Sequence, residues 1–370
     1  MSLPAFKRVV VKVGSSLIAP EGTGLSDRFL APIARCVSAW RAAGREVVVV
    51  SSGAVAAGRG RLGAGAAPAS IAAKQALAAL GQPQVVQAWG ALIEAPCAQV
   101  LLAHDDLQNR RRYVNAKNTL RELLVLGAVP VVNENDSVAV DELKLGDNDN
   151  LAAHVAALVE ADLLVILSDV DGLFDADPRG NPDAKLIPEV DAIDDALAAR
   201  AGGAGSRVGT GGMRTKLEAA RKATERGIAT VIANGRSPEA LAKLAAGERA
   251  GTLFRTHEAP LSAKHHWLRH ALIARGTLTI DAGAATALRE RGASLLPRGI
   301  VAVAGDFRAG DAVDVVLDAG EAGRTVARGL SQFDAADLRR VRGKPTSEIE
   351  ALLGYAAPDT AVHRDDLVLL

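Results

Sequence analysis

The chain has 370 residues, 49% hydrophobic and 23% charged, a length and balance that suit two domains with buried cores. Lys plus Arg and Asp plus Glu are both 43, so no global field draws the protein to nucleic acid or to an acidic membrane surface. Two cysteines, Cys36 and Cys97, cannot build a disulfide framework or a thiolate metal site, which suits a reducing cytosol, and no apolar run approaches the ~18 residues of a membrane span.

Residues 6–13 are β-branched and interrupted by Lys7, Arg8 and Lys12, which predicts a strand and not a secretory signal. Residues 27–43 have helical periodicity, with Asp27 as N-cap and Gly44 as the stop. A second buried strand at 46–50 ends in Ser51-Ser52-Gly53-Ala54. Residues 68–89 read as mostly helical, with Gly81 and Pro83 expected to kink or split them. A short strand at 99–102 and a helix at 115–126 lead to the apolar run 129–132.

That run opens without a spacer onto residues 133–150, NENDSVAVDELKLGDNDN, which hold six carboxylates, four asparagines and one lysine, Lys144. A β-branched run ending so abruptly reads as a buried parallel strand opening onto a cleft, where open α/β sheets collect ligands. Carboxylates there accept from an ammonium and amides donate to a carboxylate, as a small zwitterion requires. A solvated acidic loop is the alternative. A calcium loop would need a Gly at its sixth position and a closing Glu, which this spacing lacks.

A helix over 150–160 and a strand over 162–167 follow, the strand ending in SDVDGLFDADP. After a helix near 192–201, the glycine-rich AGGAGSRVGTGGMRTK runs into a helix at 213–226 and a strand at 228–233. Strands alternating with helices predict an α/β domain with a mainly parallel sheet, closing near Phe254. Residues 255–273 read as a polar linker carrying His257, His265, His266 and His270. His266 and His270 stand at i, i+4, but no acid or thiol accompanies them at a metal-site spacing. From Gly276, short strands at 277–280, 300–303, 312–317, 324–327 and 367–370 alternate with Gly-rich turns, which predicts a small, mostly β, barrel-like second domain. The boundaries drawn are 1–257, a linker at 258–275, and 276–370.

Four strand ends carry polar punctuation: Lys12 to Ser16, Ser51 to Ala54, the 133–150 stretch, and Ser168-Asp169. In a parallel sheet they converge on one edge, where glycines let a ligand reach backbone N–H groups. Gly209-Thr210-Gly211-Gly212-Met213-Arg214-Thr215-Lys216 repeats the pattern, with its lysine a turn inside a helix. No segment has P-loop spacing, and the turn containing Gly53, Gly58 and Gly60 lacks the dinucleotide-binding G-x-G-x-x-G. No Ser-His-Asp arrangement is evident, and His104, His154 and His363 are isolated. Two lysines, Lys12 and Lys216, beside anion cradles and orienting acids suit phosphoryl transfer, where positioning and charge stabilisation dominate. A carboxylate acceptor, already ionised at neutral pH, needs no general base.

Taken together, KVGSS, SSGAVAAG, SDVDGLFDADP and GTGGMRTK over residues 6–255 resemble the amino-acid kinase superfamily. VPVVNENDSV, KLGDNDNLAA and GTGGMRTKLEAA narrow the resemblance to its glutamate-phosphorylating branch, and GASLLPRGI, LGY and AVHRDDL resemble a PUA domain. The resemblance implies a mainly parallel eight-stranded sheet sandwiched between helices, followed by a small PUA-like barrel. It implies ATP-dependent phosphorylation of the side-chain carboxylate of L-glutamate to L-glutamyl 5-phosphate, the first step of proline biosynthesis. Mg²⁺ would ride on the nucleotide phosphates, with no metal held by the protein.

By the same resemblance, Lys12 and Lys216 neutralise charge on the transferring phosphoryl group and Asp149 holds both lysines. Ser52, Asp136 and Asn148, with Asn133 nearby, bind glutamate. Lys12, Ser168, Asp169, Thr210, Gly211, Gly212, Met213, Arg214, Thr215 and Lys216 line the nucleotide site. A cytoplasmic homo-oligomer, feedback inhibition by proline and hand-over of the acyl phosphate to glutamyl phosphate reductase are implied as well. Two alternatives stay open. The acid-rich runs fit a free ammonium better than N-acetylglutamate, yet charge alone does not separate glutamate from aspartate. PUA domains elsewhere bind RNA; here residues 276–370 hold eleven Lys and Arg against fourteen Asp and Glu, with Phe307, Phe333 and Tyr355 their three aromatics, which argues against RNA.

Overall fold

Six short runs rich in Val, Ile and Leu make the centre of the first part of the computed structural model. The model describes residues 2–63, 68, 70–138, 148–178, 180–181, 183–194, 197, 212–256, 263–318 and 324–370. The runs are β1 (Arg8–Val13), β2 (Glu46–Ser51), β3 (Cys97–Leu102), β4 (Val129–Glu134), β5 (Leu163–Ser168) and β7 (Ala229–Asn234), joined by β6 (Glu189–Val190) and β8 (Thr252–Phe254). They form one eight-stranded sheet in the order β3-β4-β2-β1-β5-β7-β8-β6. All neighbours from β3 to β7 are parallel; β8 runs antiparallel to β7, and β6 lies parallel to β8. Beyond its first residue, each of β1 and β2 is buried throughout, as a sheet covered on both faces requires.

The two faces take different helices. Val9, Val11 and Val13 of β1 join Leu30, Ile33 and Val37 of α2 (Asp27–Ala42) and Leu241 and Leu244 of a helix at Pro238–Ala245 in one apolar core. Strand alternation sends Val10 and Lys12 to the opposite face, where α7 (Asn148–Val159) packs on β1. The helices between are α1 (Ser15–Ile18), α3 (Ala54–Leu62), α4 (Ile71–Leu92), α5 (His104–Gln108) and α6 (Arg110–Val125), and α8 (Met213–Glu225) lies beside α7.

Several details differ from the sequence reading. The glycine-rich run after Ser52 is a helix, α3, and not a turn. α4 runs unbroken through Gly81 and Pro83. Ser26 is the residue preceding α2, so Asp27 is its first helical residue and not its cap. The helix at Pro238–Ala245, capped by Ser237 with Pro238 in its first turn, went unread. The helix expected near 192–201 falls largely outside the described residues.

The chain divides into Met1–Pro260 and Leu261–Leu370. The second unit has its own five-stranded sheet, β10-β9-β11-β12-β13, built from β9 (Gly276–Ile280), β10 (Ile300–Gly305), β11 (Ala312–Leu317), β12 (Thr325–Leu330) and β13 (Leu367–Leu369). Only β9 and β11 pair in parallel. Within the segment read as a linker, Ala263–His270 is a helix that buries Trp267 and Leu268 and packs against β12 and β13. The rings of His266 and His270 lie 4.7 Å apart, and among the described residues no group of three or more His, Cys, Asp or Glu is placed to hold a metal. No helix of the described residues is long and apolar enough to cross a membrane.

Candidate functional site

Because β1, β2, β4, β5 and β7 are parallel, their carboxyl ends lie on one edge, and the polar punctuation of the sequence collects there. Lys12 is the penultimate residue of β1. Asp149 is the second residue of α7, and Lys216 lies in the first turn of α8. The Lys12 ammonium pairs with Oδ1 of Asp149, and Lys216 Nζ with Oδ2 at 3.1 Å. The Thr215 hydroxyl stands 3.1 Å from the same Oδ2 and 2.8 Å from the Gly212 carbonyl oxygen, the two acceptors between which its one proton chooses. Lys12 and Lys216 are only 5% and 6% exposed and Asp149 is fully buried.

Burial by itself pushes the Asp149 carboxyl up, but the Lys12 and Lys216 charges and their hydrogen bonds outweigh it and hold the group below the usual carboxylate range. Among the described residues, the two ammonium groups against the one carboxylate amount to a net positive charge in a desolvated place. Such a charge is costly unless an anion joins it, and it acts strongly on one that does.

A second network adjoins the first, since Asn148 precedes Asp149. Asn148 Nδ2 donates to Ser52 Oγ at 2.7 Å and to Asn133 Oδ1 at 2.9 Å. Both Asn148 amide protons are thereby used. Its carbonyl oxygen remains an acceptor, while the Ser52 hydroxyl and the Asn133 amide retain protons to donate. Ser52 sits where β2 turns into α3, and its N–H donates to Val13 O at 3.0 Å, tying the ends of β1 and β2. Gly53, with φ 101°, makes that turn; a Cβ there would meet Ile18 Cδ1 at 2.9 Å. Asp136 is half-buried two residues beyond β4, on the same strand end as Asn133.

On the other side, Ser168 ends β5, nearly buried, and its hydroxyl donates to Asp169 Oδ1 at 3.3 Å. Gly212 caps α8, and Met213, Arg214, Thr215 and Lys216 form its first turn, with Arg214 exposed and 3.7 Å from Glu218. Thr210 and Gly211 lie outside the described residues. The structure thus brings Lys12, Asp149, Thr215 and Lys216 into one cluster and Ser52, Asn133 and Asn148 into another.

Sequence reading missed a polar group at the end of β7. Asn234, paired in register with Ser168, donates to Asp171 Oδ1 at 2.8 Å and accepts from Arg236 N–H at 2.8 Å, and the Arg236 guanidinium donates to Ser16 O at 2.8 Å. The signal was present: β7 ends in Asn234-Gly235-Arg236-Ser237, punctuation of the same kind as at the other strand ends.

Residues 7–234 match the amino acid kinase family model and residues 276–353 the PUA domain model. A glutamate 5-kinase of Xanthomonas campestris pv. campestris is 58% identical over 362 residues, covering 98% of this chain and 100% of the relative. Those of Salinibacter ruber and Idiomarina loihiensis are 56% and 50% identical, each across 100% of this chain and 99% of the relative. Among solved structures, a carbamate kinase from Giardia lamblia bound to AMP-PNP superposes with a TM-score of 0.50 at 18% identity, covering 68% of this chain and 99% of that one. That last likeness concerns the fold alone.

Proposed function

The chain belongs to the amino acid kinase family, and from that premise we propose that it transfers the γ-phosphoryl group of ATP to the side-chain carboxylate of L-glutamate. The product is L-glutamyl 5-phosphate, which opens proline biosynthesis. Full-length similarity to glutamate 5-kinases supports the acceptor. What supports the chemistry most is the buried carboxylate of Asp149, shared by Lys12 and Lys216 and one residue from Asn148 of the second network.

A carboxylate oxygen of glutamate attacks the γ-phosphorus as the bond to the leaving ADP oxygen breaks, and charge spreads over the equatorial oxygens between them. Lys12 and Lys216 face that charge already desolvated and already oriented by Asp149, so little reorganisation is needed as it develops. No proton leaves the acceptor, whose carboxyl is ionised well below neutral pH, so no base is required. Ser52, Asn133, Asn148 and Asp136 hold the amino-acid head group, Asp136 supplying the carboxylate for its ammonium. Ser168, Asp169 and the turn through Gly212 to Lys216 hold the nucleotide.

Mg²⁺ bound to the nucleotide phosphates would add charge neutralisation. Asp149 is assigned to the two lysines, whose ammonium groups face its oxygens, and not to the metal. Homo-oligomeric assembly, inhibition by proline through the shared α-amino-acid head group, and delivery of the acyl phosphate to a reductase belong to the same proposal.

ADP release is to be compared with glutamate, aspartate and N-acetylglutamate as acceptors, glutamate being expected to have the highest kcat/KM. Asp136→Ala is expected to raise KM for glutamate far more than KM for ATP and to weaken inhibition by proline, because it removes ground-state binding of one substrate. A changed ATP KM with an unchanged glutamate KM would mean that the two pockets are reversed.

A further inference from the structure

The β2–β4 ladder stops early. Its register pairs are Val49 with Val131 and Val50 with Val132, so the strands part just before Ser51-Ser52 and Asn133-Glu134. Asn148 reaches into that gap, its amide donating to Ser52 and Asn133. β1 holds the end of β2 and β3 the end of β4, so direct pairing between β2 and β4 does not set the width of the gap.

α4 bridges the gap. This 22-residue helix is mostly apolar, with Lys74 its one charged residue and Gln75, Gln82, Gln84 and Gln87 its amides. Gln82 and Trp89 are seven residues apart, two turns along one face. The Trp89 indole N–H donates to Ser51 Oγ at 2.9 Å, and the Ser51 hydroxyl donates to the Ser52 carbonyl oxygen at 3.1 Å. Gln82 Nε2 donates to the Glu134 carbonyl oxygen at 3.3 Å. Ser51 precedes Ser52, and Glu134 follows Asn133. Trp89 and Ser51 are fully buried and Gln82 is 7% exposed. Gly81 adds a third point of contact: a Cβ there would lie 1.8 Å from the carbonyl oxygen of Ala54, two residues past Ser52.

Buried polar groups need partners wherever they sit, and that alone would explain a pair of satisfied side chains. Here, however, both side chains bond the residues that adjoin the two acceptors of Asn148, at the point where strand pairing ends. We infer that Gln82 and Trp89 are positioning residues that fix the separation of Ser52 from Asn133 and thereby the length of amino acid the acceptor pocket takes. The inference rests on the acceptor pocket proposed above.

Gln82→Met keeps the volume and removes the donor, while Trp89→Phe removes the donor and some ring volume with it. In the full-length chain each is expected to raise KM for glutamate about ten-fold and to lower the glutamate-to-aspartate ratio of kcat/KM similarly, with kcat and KM for ATP changed less than about two-fold. Ser51→Ala is expected to raise KM for glutamate at least as much as Trp89→Phe, since it also removes the bond to the Ser52 carbonyl, and the double variant to fall well short of the sum of the single effects, because both remove the bond between Trp89 and Ser51. Soluble variants with lower melting temperatures but an unchanged glutamate KM and acceptor ratio would overturn the inference, as would additive effects of Ser51→Ala and Trp89→Phe. Should Trp89→Phe fail to fold, Gln82→Met decides by itself. Were the wild-type enzyme to prefer another acid, the proposed acceptor would be wrong, and the same KM comparison made with that acid would still decide the role of α4.

Discussion

Burying a carboxylate between two ammonium groups is stable only while all three members stay in place, because removing one leaves an uncompensated charge. Lys12→Ala and Lys216→Ala are each expected to lower kcat on the order of 10²–10³-fold with a smaller change in KM for glutamate, since each removes a preorganised charge at the transferring group. Steady-state kinetics check this, and wild-type turnover in Lys216→Ala would contradict it. Asp149 also links stability to pH. Its folded pKa lies below the unfolded value, so its contribution is present above about 3.9 and is lost as the pH falls through the lower folded value. The stability gap between wild type and Asp149→Asn, measured by denaturant melts, is expected to be wide at neutral pH and to close in strong acid. Lys12 and Lys216 were legible as cations beside glycine-rich turns, and the acid-rich stretch was legible as a site. That Asp149 in particular holds both lysines came only through family resemblance, because six carboxylates in one stretch look alike until the start of α7 selects one. Ser51 was legible as strand-end punctuation, but Gln82 and Trp89 escaped notice because an amide and an indole in a long helical run carry no motif; their i, i+7 spacing was the available clue.

At the scale of elements, the glycines of α3 and α4 misled the reading for a physical reason. Gly58 and Gly60 lower helix propensity, so 54–62 looked like a turn, and Gly81 with Pro83 looked like a break. Their purpose is close packing of two backbones. A Cβ on Gly58 would lie 1.9 Å from the Leu77 carbonyl oxygen, and one on Gly81 would lie 1.8 Å from that of Ala54. Tertiary packing thus outweighs propensity at these positions. Gly81→Ala is expected to cost about 1–3 kcal/mol or more by forcing the helices apart, and to raise the glutamate KM as Ser52 moves with α3. Calorimetry together with kinetics checks both effects. An unperturbed melt would contradict the close crossing. The strands were read better, since β-branched runs ending in Ser, Asn and Asp carry their own boundaries: β11 was expected at 312–317 and observed at Ala312–Leu317.

At the scale of the whole molecule, the two units have separate apolar cores, one around β1 and α2 and the other around Leu278, Val313 and Leu338. Each residue proposed for chemistry lies before Leu217. Domains with their own cores can fold apart. A chain stopped at Ala259 is therefore expected to melt cooperatively and to phosphorylate glutamate, and a folded truncation more than ~100-fold slower, about 2.7 kcal/mol in the barrier, would mean that the second unit helps build the site. The alternation that announces an α/β unit and the short strands that announce a β unit were legible in the sequence. The place of the helix Ala263–His270 was not, because four histidines among polar residues look like a linker until Trp267 and Leu268 are seen buried. The central claim is that the side-chain carboxylate of glutamate receives the phosphoryl group, and trapping the product with hydroxylamine tests it most directly. The account predicts γ-glutamyl hydroxamate in step with ADP, both falling together in Lys216→Ala; ADP released with no hydroxamate, or with the α-hydroxamate, would contradict it.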